Sequence, residues 1–325
     1  MRRLKDNDLQ TFEKLCGLTQ SGVKATMSRF LRQKYDNVTE TAKYIVAEGD
    51  IPIALVAHMD TVFTAPAEDI FYDRVKNTMW AKQGLGADDR AGIFAIIQLI
   101  KKGLRPHIVL TTDEERGAIG ASILSATACP FKDLRFMIQL DRRGSNDCVF
   151  YECDNQDFVD YIEDFGFVEN WGTFSDISVL CPAWKVAGVN LSVGYYDEHS
   201  IAETLHIGQL FDTIEKVARI LSQEAEKIPH FKYIKMKIQP WYKRLPIKVT
   251  EKCKCYKCQK EFASDEVIEA KTANFKWHNY CVNCIVDEVE WCTCCGEAFE
   301  KTENSEQLKI CEDCYYDNFY AGYRE

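Results

Sequence analysis

The 325-residue chain lacks several features that mark common functional classes. No apolar run approaches the ~18 residues that a membrane-spanning helix needs, so we expect no membrane segment. Lys and Arg number 40 against 50 Asp and Glu, and this shortage of positive charge argues against broad affinity for nucleic acids or anionic membranes. The first residues turn polar at once and show no signal peptide, so we expect a cytoplasmic location.

Cysteine, in contrast, is abundant. The chain has 15 cysteines, and ten of them lie between Cys253 and Cys314. Inside a cell such crowding favours metal thiolates over disulfides. Four C-x-x-C pairs are present, and two such pairs can complete the tetrahedral shell of one zinc ion, so the pairs taken in sequence order predict two structural Cys₄ zinc sites. The pairs are Cys255 and Cys258, Cys281 and Cys284, Cys292 and Cys295, and Cys311 and Cys314.

A second ligand set for the first of these zinc sites stays open. Trp277 and His278 precede Cys281 as in the middle of a LIM-type finger, in which His278 would join the ligands. That pattern needs a further ligand at position 287, where the chain has Asp287, so we favour the all-cysteine set. Nine Lys or Arg face sixteen Asp or Glu between 251 and 325, which predicts a module for a protein partner and makes nucleic acid an unfavourable one.

Apolar periodicity divides the first 228 residues into alternating helices and buried strands. Helices are predicted at 8–34, 91–102, 117–126, 155–165, from near 175, and at 209–227, and strands at 44–47, 51–57, 107–112, 136–140 and 187–193. This alternation predicts an α/β fold with a mostly parallel or mixed sheet. We therefore expect a first domain at 1–228, a basic linker at 229–250 with at most one strand at 231–238, and a small zinc-binding domain at 251–325.

Five short polar segments carry histidines and carboxylates where apolar runs end. They are A-H-M-D at 57–60, G-A-D-D-R-A-G at 86–92, T-T-D-E-E at 111–115, L-D-R-R-G at 140–144 and D-E-H-S at 197–200. Imidazole and carboxylate groups bind zinc-like ions, and a pair of ions also needs a bridging carboxylate and a base. In open α/β sheets such groups collect at the carboxyl ends of strands, so we expect each segment at a strand end. The inventory predicts a two-metal hydrolytic site.

In this order the segments resemble the co-catalytic dizinc exopeptidase superfamily, which includes peptidase T, glutamate carboxypeptidase and the leucine and glutamyl aminopeptidases. The resemblance covers about 45–225 and implies a three-layer α/β/α domain of the phosphorylase/hydrolase-like type. It also implies two catalytic zinc ions. His58 and Asp141 would bind the first ion, Glu115 and His199 the second, and Asp88 would bridge them.

The same resemblance implies the roles of several neighbouring residues. Glu114 would be the general base, and Asp60 would fix the orientation of the first histidine ligand. The peptide bond between Asp88 and Asp89 would be cis. Glu203 completes the segment E-H-S-x-x-E, which matches the terminal histidine signature of the superfamily.

The sequence also departs from many members of this superfamily. Fewer than sixty residues separate Asp141 from His199, which leaves no room for the lid domain that carboxypeptidase-type members insert there. Residues that a lid would supply therefore cannot be assigned. The segment 172–176 resembles a loop near the substrate, although Ser175 or Asp176 is as well explained as a helix N-cap.

These patterns predict a zinc metallohydrolase that cleaves an amide bond, most simply a metallo-exopeptidase acting on peptides. Two alternatives remain at this stage. One is a deacylase of N-acyl amino acids that uses the same site. The other is a non-catalytic scaffold that presents the cysteine-rich module to a protein partner.

Overall fold

The structure is a computed structural model that describes residues 5–236, 252–263, 266–271, 277–292, 298–301 and 311. The chain forms two compact units, Met1–Lys237 and Ile238–Glu325. Within the described ranges, no helix is both long and apolar enough to cross a membrane.

Twelve strands lie in the described part of the first unit, residues 5–236. They are β1 (Asn37–Glu40), β2 (Tyr44–Glu48), β3 (Ile51–His58), β4 (Ile70–Asp73), β5 (Thr78–Ala81), β6 (Pro106–Thr111), β7 (Phe136–Arg142), β8 (Asp147–Val149), β9 (Val168–Glu169), β10 (Gly188–Ser192), β11 (Tyr195–Tyr196) and β12 (Thr204–His206). Eight of them form a mixed sheet in the order β1-β2-β6-β3-β7-β10-β8-β9. Strand β3 pairs in parallel with β6 and β7, and β7 pairs in parallel with β10, so these four strands end at one edge.

Seven α-helices accompany this sheet in the same described residues. They are α1 (Asp6–Cys16), α2 (Gln20–Arg32), α3 (Ala87–Lys101), α4 (Ile119–Ser125), α5 (Gln156–Glu163), α6 (Asp176–Trp184) and α7 (Ile207–Leu221).

The side chains of β3 show how the helices and the sheet form layers. Ile53, Leu55 and Ala57 lie in one core with residues of α1, α3, α5 and α7. Ala54 and Val56 lie in a second core with residues of α4 and α6. Because successive side chains of a strand point to opposite faces, the sheet has helices on both sides. The predicted three-layer α/β/α fold is confirmed.

The end of the first unit differs from the sequence prediction. Helix α7 was predicted to end near 227 but ends at Leu221. The hydroxyl of the next residue, Ser222, donates to the carbonyl of Ala218. A short 3₁₀ turn follows at Ala225–Lys227. No strand is present in the described residues 231–236; only single bridges join Lys232 to Val186 and Lys235 to Cys153.

A second, four-stranded sheet was not predicted from the sequence. Its strands are antiparallel and follow the order β11-β12-β5-β4. The chain runs from β5 directly to the start of α3, and it turns between β11 and β12. Asp88 lies just after the first of these connections, at the start of α3, and His199 lies in the second.

The second unit is small and rich in β-structure. Its elements are β13 (Lys252–Lys254), β14 (Glu261–Ala263), β15 (Val267–Lys271), β16 (Trp277–Cys281), α8 (Val282–Glu288), β17 (Val289–Trp291) and β18 (Ala298–Glu300). Strands β13 and β14 pair with each other, and the other four follow the order β16-β15-β18-β17. The buried residues of its main apolar cluster are Ala270, Tyr280, Val289 and Ala298. The core that these described residues form is small and supplies little stability by itself, and a structural metal ion is one common supplement.

Candidate metal centre

His58 is the last residue of β3 and marks the first of two ligand groups. Its ring is buried, with Nε2 2.9 Å from Asp88 Oδ1 and 3.4 Å from Asp141 Oδ1. Asp141 lies near the end of the neighbouring parallel strand β7, so the register of the sheet brings the two side chains together. One nitrogen and two carboxylates thus converge as a candidate group for a metal ion.

The second group forms around His199, in the connection between β11 and β12. Its Nε2 lies 3.2 Å from Asp88 Oδ2 and 3.0 Å from Glu115 Oε2. Asp88 therefore belongs to both groups, since each of its carboxylate oxygens faces a different histidine. This is the arrangement that a carboxylate bridging two cations requires.

The backbone around Asp88 is fixed by a buried carboxylate. Glu203 accepts hydrogen bonds from the N–H groups of Gly86, Ala87 and Asp88 at 2.5, 3.1 and 3.1 Å. The following peptide bond, between Asp88 and Asp89, is cis, as the resemblance implies. The position of the shared ligand is therefore set by the main chain as well as by its side-chain contacts.

Asp60 connects the first histidine to the turn that carries the two glutamates. Its Oδ1 lies 3.4 Å from His58 Nδ1, and its oxygens accept hydrogen bonds from the N–H groups of Glu114 and Glu115, both at 3.1 Å. A carboxylate behind a ligating imidazole fixes the ring orientation and makes the other ring nitrogen a better ligand.

Further contacts position Asp141. Gln139 Nε2 donates to Asp141 Oδ2 at 3.0 Å, and the Tyr195 hydroxyl donates to Oδ1 at 3.2 Å. The Ser175 hydroxyl lies 3.4 Å from the same Oδ2, and Ser175 also caps α6. Neither Gln139 nor Tyr195 was predicted from the sequence as a partner of Asp141. A polar glutamine two residues before Asp141, inside a buried strand, was the available signal for the first.

The electrostatics of the site favour positive charge. Burial opposes protonation of His58, but the nearby Asp141, Asp60 and Asp88 carboxylates raise its pKa well above the usual value. Hydrogen bonds to Asp88 and Glu115 raise the pKa of His199 to about 10. Surplus negative charge so concentrated would be balanced by bound cations.

The donor set fits zinc-like ions. Neutral imidazole nitrogens and carboxylate oxygens are ordinary zinc ligands, and three protein ligands leave a position open for reaction chemistry. Glu115 also has a buried oxygen, Oε1, that finds no hydrogen-bond partner in the described parts of the chain. A buried carboxylate oxygen needs a donor or a cation, so this atom adds to the evidence for metal binding.

Two of the predicted ligands lie next to strands of the small sheet, which was not predicted. We expected each ligand segment at the end of a strand. Asp88 instead lies at the start of α3, and His199 lies in the turn between β11 and β12 of the small sheet. The segment with His199 follows the strand β11 directly, whereas the segment with Asp88 begins five residues after β5 and continues into α3. Neither of these short strands was predicted from the sequence.

In the second unit the structure brings together the first four predicted cysteine ligands. The sulfur atoms of Cys255, Cys258, Cys281 and Cys284 all lie within 4.8 Å of one another. Burial raises the pKa of Cys255, but N–H groups including those of Cys258 and Cys281 outweigh this effect and lower it to about 6. The His278 ring lies outside this sulfur group and stacks on Tyr256 with the ring centroids 3.7 Å apart.

The second predicted set is only partly described. Cys292 and Cys311 are both buried, and the N–H of Cys311 donates to the sulfur of Cys292 at 3.3 Å. Cys295 and Cys314 lie outside the described residues.

Comparison with known proteins identifies the fold. Aminopeptidase PepT from Bacillus cereus aligns with a TM-score of 0.51 and 15% identity over 66% of this chain and 97% of its own. A tripeptidase from Staphylococcus aureus aligns with a TM-score of 0.51 and 16% identity, over 66% of this chain and 96% of its own. A TET aminopeptidase from a marine sediment thaumarchaeote aligns with a TM-score of 0.53 and 12% identity, over 67% of this chain and 97% of its own.

The chain has the fold of these aminopeptidases. At such low identity the likeness establishes the fold alone. No protein-family model matches the sequence, and neither does any curated protein.

Proposed function

We propose that this chain is a zinc-dependent metallohydrolase of amide bonds, an exopeptidase of the aminopeptidase or small-peptide type. The observation that carries the proposal is Asp88, whose two carboxylate oxygens face His58 and His199 within two ligand groups. The aminopeptidase fold supports peptides as substrates.

The residues divide into two overlapping ligand sets. His58, Asp88 and Asp141 would hold one zinc ion, and Asp88, Glu115 and His199 would hold the other. Ions bound in these sets supply Lewis-acid polarisation of the scissile carbonyl and activation of the attacking water. Asp60 keeps the His58 ring in the ligating orientation through its contact with Nδ1.

Glu114 is the proposed proton carrier. It lines the cavity beside the ligands, and its backbone N–H is held by Asp60. Burial raises the pKa of its carboxyl to about 9, and cations nearby would oppose that shift because they favour the carboxylate. As a carboxylate, Glu114 takes a proton from the attacking water and then delivers it to the leaving amine.

For the second unit we propose two structural zinc ions and a protein partner. Cys255, Cys258, Cys281 and Cys284 would bind one ion. The remaining predicted ligands, Cys292, Cys295, Cys311 and Cys314, would bind the other. Thiolate sites persist in a reducing compartment, which favours the cytoplasm as the location.

To test this, the zinc-loaded full chain is incubated with a panel of dipeptides, tripeptides and N-acetyl amino acids. The products are identified by mass spectrometry. We expect peptide cleavage that a chelator abolishes and zinc restores, together with four zinc ions per chain. Cleavage of the N-acetyl compounds alone would replace the peptidase by the deacylase. An inactive chain with only two zinc ions, both lost on cysteine substitution, would favour the scaffold.

A further inference from the structure

A cavity of about 330 Å³ opens beside the ligand groups. Its wall includes the ligands Asp88, Glu115, Asp141 and His199 as well as Glu114. This volume is near the lower end of the range of about 300–1,000 Å³ that is common for small-molecule sites. The cavity therefore suits a small substrate better than a long polypeptide.

Two consecutive arginines, Arg142 and Arg143, also line this cavity, and they differ in their partners. Arg143 has a side chain that is 59% exposed, and it pairs with Glu198 Oε1 at 3.3 Å. Arg142 forms no ion pair with a carboxylate among the described residues. Of the two guanidinium groups, Arg142 is thus the one left to meet an anionic ligand.

Arg142 is held in place at both ends of the residue. Its carbonyl accepts a hydrogen bond from the N–H of Val193 at 2.8 Å, and its Nη2 donates to the carbonyl of Trp171 at 3.0 Å. Its Nε, however, is buried and has no hydrogen-bond partner in the described ranges. A buried donor without a partner is costly, and in native proteins such a group calls for an explanation.

We propose that Arg142 binds a carboxylate of the substrate, so that the preferred substrates are short peptides with a carboxylate close to the scissile amide. This inference rests on the proposed peptidase function. The planar guanidinium matches a carboxylate through two parallel N–H donors, and the bond between them is charge-assisted. The carboxylate is that of the peptide C-terminus or that of an acidic side chain.

The experiment compares three peptides on the zinc-loaded full chain: Leu-Gly, Leu-Gly amide and Glu-Gly amide. If the C-terminus supplies the carboxylate, kcat/KM for Leu-Gly exceeds that for its amide by about 10- to 100-fold, the usual value of a charged hydrogen bond. If a side chain supplies it, Glu-Gly amide exceeds Leu-Gly amide by a similar factor.

Variants assign the preference to Arg142. In Arg142→Gln, kcat/KM for the preferred peptide should fall to within about twofold of that for its uncharged counterpart. The fall should come mainly from a higher KM for the preferred peptide. Arg142→Lys should retain part of the preference because lysine keeps the charge without the fork. Arg143→Gln, which removes the same charge one residue away, is the matched control and should keep the preference of the unmodified protein.

Two outcomes of the kinetic experiment overturn the inference. The first is equal cleavage of all three peptides by the unmodified protein. The second is an equal loss on every peptide in Arg142→Gln, which would mean that Arg142 acts on the reacting carbonyl or only supports the fold.

If no peptide is cleaved at all, the proposed function fails while the inference is still tested. Calorimetry then measures the binding of the same three peptides to the zinc-loaded protein. Tighter binding of the carboxylate-bearing peptides that disappears in Arg142→Gln supports the inference, and equal binding overturns it.

Discussion

The Glu203 carboxylate accepts a hydrogen bond from the backbone N–H of Asp88 at 3.1 Å, although 115 positions separate the two residues in the sequence. It accepts two more from Gly86 and Ala87, and it is fully buried. This one side chain thus accepts hydrogen bonds from the N–H groups of Asp88 and of the two residues before it. Glu203 therefore positions the residue that we propose as the shared metal ligand.

Replacement of Glu203 by glutamine should weaken both the fold and the metal site. An amide has one accepting oxygen, and its NH₂ group would face a backbone N–H, so we expect the free energy of unfolding to fall by about 1–3 kcal/mol. Zinc affinity of the first unit should fall as well. Urea denaturation and competition with a zinc chelator measure the two effects. Glu226→Gln, at an exposed position, is the control, and a Glu203→Gln variant that matches it in both assays would contradict the positioning role.

Replacement of Glu114 by glutamine should separate catalysis from metal binding. The variant keeps the size of the side chain but cannot carry a proton, so turnover should fall by about 100- to 10,000-fold. Zinc content and unfolding midpoint should not change. Glu115→Gln, one residue away, should in contrast lower the zinc content, because Glu115 lies in a ligand group. Near-normal turnover by Glu114→Gln would refute the assignment of the proton carrier.

Asp60→Asn should reduce zinc affinity or turnover by about 10- to 100-fold, the usual effect of losing a carboxylate behind a ligand. The cause is the loss of charge next to His58 Nδ1, together with a poorer acceptor for the N–H groups of Glu114 and Glu115. Metal analysis by mass spectrometry and initial rates on the best peptide measure the change. Asp50→Asn, on the surface, should behave as the unmodified protein does. If both variants behave alike, Asp60 has no role at the site.

Five consecutive strands of the main sheet, β2-β6-β3-β7-β10, could be predicted from the sequence because they are largely buried, whereas the short strands β1, β8 and β9 were not predicted. A strand of this kind is a short, continuous apolar run, and the prediction of 51–57 agrees with β3 at Ile51–His58 to within one residue. The small sheet could not be predicted in the same way. Its strands have only two to four residues, and Phe71 and Trp80 in β4 and β5 remain partly exposed.

The candidate site shows the same division between local and distant information. The order of the ligand segments can be recognised along the chain, because each contains its own short motif. Glu203 also belongs to such a motif, but its contact with Asp88, like that of Gln139 with Asp141, is created only by the folded sheet. The small sheet, whose β11–β12 connection carries His199 and whose strand β5 precedes the helix that begins with Asp88, likewise required the three-dimensional structure.

Phe231 should contribute to the stability of the first unit although it falls in the segment that we predicted as a linker. Its ring is buried, and its centroid lies 4.8 Å from that of Phe158 and 5.2 Å from that of Tyr161. Removing a buried phenylalanine costs about 3–5 kcal/mol, so Phe231→Ala should lower the unfolding free energy by an amount near that range. Chemical denaturation tests this, with His230→Ala at the adjacent, less buried position as the control. A loss no greater than that of the control would place Phe231 outside the core.

Cys281→Ser should remove one zinc ion per chain and destabilise the second unit. Its sulfur lies with those of Cys255, Cys258 and Cys284, and a serine hydroxyl is a poor substitute for a thiolate ligand. Because the apolar core formed by the described residues of this unit is small, loss of the ion should also increase its cleavage in limited proteolysis. Cys253→Ser is a matched control, since Cys253 belongs to the same unit but not to the sulfur group. Unchanged zinc content in Cys281→Ser, measured by mass spectrometry after dialysis, would rule out this four-sulfur site.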